Sequence, residues 1–70
     1  MRTPEHDSQV GWAVKNVNAG GRVTGWSAWA GDTHITDYNT GREAREAAER
    51  VIGCSLQWVK DRAGVYRGVV

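Results

Sequence analysis

The chain has 70 residues, a net charge of +1 and a single cysteine. That length gives one small domain with little core to spare, and one cysteine excludes an internal disulfide. Four Trp and two Tyr, beside 12 Val, Ile and Leu, supply enough apolar surface for a folded chain at this low charge, although Phe is absent.

Met1 to Gln9 is polar, contains Pro4 and lacks periodicity, so residues 1–9 read as a flexible tail and 10–70 as a single α+β domain. Val10 to Val17 has the β-branched and aromatic content of a strand. Asn18-Ala19-Gly20-Gly21 reads as a turn, followed by a second strand from Arg22 to Ala30. Gly31-Asp32 is the next turn, and Thr33 to Tyr38 the third strand.

The helix has the clearest signature. Thr40 and Glu43 form a T-x-x-E capping box. Ala44, Ala47, Ala48, Val51 and Ile52 follow at helical spacing and form one apolar stripe. Arg42, Glu43, Arg45, Glu46, Glu49 and Arg50 fill the other side, where Glu46 and Arg50 are spaced for an ion pair. Gly53 stands where a C-capping glycine belongs. Cys54 to Lys60 reads as a strand, Asp61-Arg62-Ala63-Gly64 as a turn, and Val65 to Val70 as the last strand. The expected fold is a single antiparallel sheet of four to five strands, in the order β-β-β-α-β-β, with one helix packed across one face.

Trp26 and Trp29 are three apart, so a regular strand points them to opposite faces. Pairing Asn18 with Gly21 puts Val10, Trp12, Val14, Val23 and Trp29 on one face. Ala13, Lys15, Val17, Arg22, Thr24, Trp26 and Ala28 then share the other. The first set is the more apolar and is expected to meet the helix, with Leu56 and Trp58 completing the core. The outer face then carries Trp26, Lys15, Arg22 and Thr24, joined by Ile35, Asp37, Val59 and Arg67. Trp26, Lys15, Arg22, Thr24, Ile35, Val59 and Arg67 form the candidate binding surface, because Trp and Arg beside aliphatic groups on an uncovered sheet mark an interaction site. The plainer reading is that Trp26 only covers its neighbours.

Chemistry finds little support. Asp32-x-His34, with Asp37 nearby, is the best acid–base or metal pair, yet Asp32 is explained as a turn residue and no third group orients the imidazole. Cys54, after the capping glycine, is expected to be a buried small apolar residue. His6 lies in the tail without a partner. No phosphate loop, dinucleotide fingerprint or nucleophile elbow occurs. The expectation is no enzyme, no catalytic or metal site and no cofactor.

No leader, lipidation signal or membrane-length apolar run is evident, so the expected location is cytoplasmic, with no membrane partner. Arg outnumbers Lys seven to two, a codon bias that points to a GC-rich bacterial or phage genome. A thin core without disulfide or metal favours association with a protein partner or with itself. Nucleic acid is the second expectation, with Trp26 stacking on bases and Lys15, Arg22 and Arg67 holding phosphates. The net charge of the non-helical segments is weak for that role.

Trp12-x-Val14, Thr40-x-x-Glu43-Ala44-x-x-Ala47-Ala48 and Val59-Lys60-Asp61-x-x-Gly64-Val65 together resemble a small bacterial and phage β-α-β family with no assigned activity. The resemblance spans roughly residues 10–68. The middle segment is also similar to the helix start of antitoxins of the partial double-stranded-RNA-binding-like class, whose Pro-Asp-Leu-Pro-Gly loop is absent here. Arm-type DNA-binding domains of phage integrases likewise set a helix on a sheet, without the final hairpin. A small regulatory module encoded by a phage or mobile element fits the size and the inferred genome.

Overall fold

The computed structural model describes residues 10–70; the tail expected over 1–9 lies outside them. Five strands, β1 (Gly11–Val17), β2 (Val23–Ala30), β3 (Thr33–Tyr38), β4 (Gln57–Arg62) and β5 (Val65–Val69), and one helix, α1 (Gly41–Ile52), form an α+β fold. The sheet is antiparallel throughout, in the order β3-β2-β1-β5-β4. The last strand is therefore internal, and β3 and β4 form the edges. The C-terminal strand offers no free edge, because β4 folds back on one side of it and β1 pairs on the other.

The helix forms as its sequence dictates. Thr40 is extended (φ −129°, ψ 155°), and its Oγ1 accepts from the Glu43 backbone N–H at 3.2 Å. The same hydroxyl donates to Glu43 Oε1 at 3.1 Å. Gly53 takes the left-handed conformation (φ 94°), and its N–H closes the last turn on the Glu49 carbonyl at 2.8 Å. Of the predicted stripe, Ala44, Ala47 and Ala48 are buried, but Val51 is 59% exposed. The stripe ends at the sheet boundary, and the last turn overhangs it. The Glu46–Arg50 pair gives way to Arg42–Glu46, with Nε–Oε2 at 3.4 Å.

The core is built from small residues. Ala13, Ala28, Ala44 and Ala47 form its buried centre, with Trp26, Ile35, Tyr38, Trp58 and Tyr66 packed around them. Strands and helix approach closely because both contact surfaces lack bulk. A Cβ on Gly41 would lie 3.1 Å from the Trp26 indole, and one on Gly68 would lie 2.9 Å from that of Trp58. Gly11 pairs with Gly68, and a Cβ there would meet Leu56 at 2.8 Å. These glycines open the space that the two indoles and Leu56 occupy.

This packing inverts the expected choice of face. The two Trp do point opposite ways, but Trp26 lies under the helix and Trp29 does not. An alanine stripe reaches the sheet only where the facing positions are also small, and Ala13 and Ala28 meet that condition where Trp12 and Trp29 do not. The strand pairing also differs from that expected. Trp12 lies opposite Trp29, Val14 opposite Ser27 and Asn16 opposite Gly25, with a bulge near the turn. Over Gly11–Asn16 the shift is by an even number of residues, so the face groupings survive there; beyond the bulge Val17 pairs with Val23, and these two, expected on opposite faces, share one.

Candidate interaction surface

Cross-strand partners share a face, and successive residues alternate. The side away from the helix therefore carries two rows that cross all five strands. One row runs His34, Trp29, Trp12, Arg67, Val59. The next runs Asp37, Ser27, Val14, Val65, Arg62. No helix or strand of residues 10–70 packs on these rows, since α1 lies on the opposite face.

A polar cluster sits at the β3 end. Ser27 Oγ donates to Asp37 Oδ1 at 2.8 Å, and His34 Nε2 approaches the same oxygen at 3.0 Å. Asn16 Nδ2 donates to Ser27 Oγ at 2.9 Å. The imidazole also lies against Trp29, with ring centroids 5.0 Å apart. A bulge between Ala28 and Trp29 brings His34 and Asp37 to one face, although they are three residues apart. The Ser27 hydroxyl holds the Asp37 carboxyl below its ordinary value, with His34 adding to the effect. The carboxylate stands in the middle of this chain. The Ser27 hydroxyl donates to Asp37 and not to the His34 imidazole, so the trio lacks the serine–histidine contact of a hydrolytic triad. Asp37, not Asp32, is the partner of His34.

The residues expected to share the outer face are divided. Val59 and Arg67 lie on the open face and opposite each other. Trp26 is on the helix side, 5.9 Å from Tyr66 between ring centroids, and Arg45 covers Tyr66 at 5.6 Å. Ile35 packs on the core, because the β3 bulge turns it inward. Lys15 lies opposite Trp26, exposed at the helix-side margin. Thr24 sits in the bulge of the first hairpin, where Oγ1 donates to the Asn16 carbonyl at 3.3 Å. Arg22 belongs to the turn, where its N–H donates to Asn18 Oδ1 at 3.0 Å. Trp26, Lys15, Arg22 and Arg67 thus form no common patch.

Cys54 is exposed, not buried, because the strand begins at Gln57 and leaves residues 53–55 as a surface connection. Glu49, expected to face solvent, holds that connection. Its Oε2 accepts from the Leu56 backbone N–H at 2.8 Å and from Trp58 Nε1 at 3.2 Å. Among the described residues, no group of three His, Cys, Asp or Glu is placed to hold a metal, and no helix is long and apolar enough to cross a membrane.

No family model, curated protein or solved structure matches the chain. Function therefore rests on the chemistry of its own surfaces.

Proposed function

We propose that the protein is a small non-catalytic binding module that self-associates through the open face of its sheet. The observation that carries this reading is the row His34–Trp29–Trp12–Arg67–Val59, which sets two indoles and an arginine side by side on a face that α1 leaves bare. Trp and Arg are the residues that most often dominate interface energetics. The core adds a second reason. No large side chain is fully buried among the described residues, so the helix side alone gives limited stabilisation. Covering the second face of the sheet would convert a one-sided core into a sandwich. Sedimentation velocity at micromolar and near-millimolar concentrations tests the reading. A species that grows with concentration supports it, and a monomer throughout removes it.

Single-stranded nucleic acid is the second reading, favoured by the same indoles with Arg62 and Arg67 available for phosphates. Two arginines, one of them 4.0 Å from Asp61, with Asp37 at the far edge of the same face, make a modest field, which places this reading below self-association. It requires Trp quenching by an oligonucleotide that fades steeply with added salt.

A further inference from the structure

The geometry points to one mode of self-pairing: a two-fold axis along β1 that lays the β3 edge of one copy over the β4 edge of the other. This inference rests on the self-association proposed above and specifies its geometry. The open face is electrically lopsided. Asp37 lies on β3 at one edge, whereas Arg67 and Arg62 lie on β5 and β4 at the other.

Two such sheets stacked with aligned strands have two choices of in-plane two-fold axis. An axis across the strands sets each strand over its own copy. The edge that carries Asp37 then lies over the same edge of the other copy, and the edge that carries Arg62 over its own counterpart, which gathers like charges at both rims. An axis along the central strand keeps the rows in register and reverses their order. Asp37 of each copy then faces Arg62 of the other, and Trp29 faces Arg67. Trp12 and Val14 meet their counterparts at the axis. Val59, 53% exposed in the single chain, is covered by the β3 edge beside His34.

The side chains suit these roles. Both bonds that fix Asp37 use Oδ1, which leaves Oδ2 for a donor from outside. The Asp37 side chain is 63% exposed and that of Arg62 76%; Arg62 Nε stands 4.0 Å from Asp61 Oδ2, a loose solvent-exposed pair that leaves the rest of the guanidinium for a second carboxylate. An Arg guanidinium over an indole face is a favourable cation–π contact once water is excluded. Opposite charges at the two rims also fix orientation and register, which is the principal use of interfacial charge.

The test exchanges the charges at low ionic strength, where rim pairs are least screened. Sedimentation equilibrium is run on the wild type, Asp37→Arg, Arg62→Asp and the double variant. Each single variant should raise the dimer dissociation constant by about tenfold, and the double variant should return to within about threefold of wild type. An equimolar mixture of the two single variants should also associate. Far-UV circular dichroism checks that each variant is folded. A dimeric wild type whose single variants bind equally well, or whose double variant stays as weak as either, overturns this axis and leaves self-association standing. A wild type that is monomeric at every concentration overturns both.

Discussion

Trp12 and Trp29 lie directly opposite each other on β1 and β2, on the face that α1 does not cover. Trp26 comes only three residues before Trp29, yet its indole lies beneath the start of the helix, against Gly41. Neighbouring tryptophans of one strand thus do different work: Trp26 holds the helix to the sheet, and Trp29 is presented outward.

That division predicts opposite mutational effects in the isolated chain. Trp26→Ala removes an indole wedged between the helix start and Tyr66 and should cost about 3 kcal/mol of stability. Trp29→Ala, measured at concentrations too low for association, should cost no more than about 1 kcal/mol. Urea denaturation followed by far-UV circular dichroism distinguishes the two. Equal losses would contradict the assignment of faces.

Gly68 predicts a steric effect. An added methyl would lie 2.9 Å from the Trp58 ring and 3.0 Å from the Leu56 Cβ. Gly68→Ala should destabilise by about 1–3 kcal/mol through overpacking. Thermal melting would show it, and an unchanged midpoint would mean that the indole moves aside without cost.

Glu49 predicts a local loss. Its carboxylate is the acceptor for the Leu56 N–H and the Trp58 indole N–H. Glu49→Ala should cost about 1.5–3 kcal/mol, since bonds to a charged acceptor are worth more than neutral ones. The Trp58 Nε1 proton should move upfield in an NMR spectrum and exchange faster with solvent.

Asp37 gives a pH dependence of known sign. Its carboxyl is held below the ordinary range, first by Ser27 and then by His34. A depressed folded-state value contributes stability that is fully present above the unfolded-state value. That contribution is lost as the pH falls below about 4 and through the folded-state value. Because Asp37 lies at the surface, the effect on stability should be small, and a site-specific readout is preferable. NMR titration of the Asp37 side-chain carbonyl carbon should give a value that rises in Ser27→Ala. An unchanged value would show that the Ser27 bond does not persist in solution.

The sequence marks the elements well and the packing less well. The helix is delimited by local chemistry, with Thr40 and Gly53 at its ends, and the third strand by its turns; both lie where the residues imply. Strand parity separates Trp26 from Trp29, and that separation also holds. Which face takes the helix is a tertiary question, and ranking the faces by hydrophobicity answers it wrongly. The usable signal is size. Alanines on the helix require small residues beneath them, and glycines at 11 and 68 within strands mark close approach. The pairing of His34 with Asp37 depends on a bulge that no local pattern announces. Glu49 reads as one more solvated charge, because its partners come from a later segment.

Sedimentation equilibrium of Trp12→Ala and Trp29→Ala beside the wild type addresses the open face most directly. A reversible wild-type dimer is expected, with each substitution raising its dissociation constant by about 30-fold, the signature of residues central to an interface. Dimers that form as tightly in both variants as in the wild type would mean that this face is not where the copies meet.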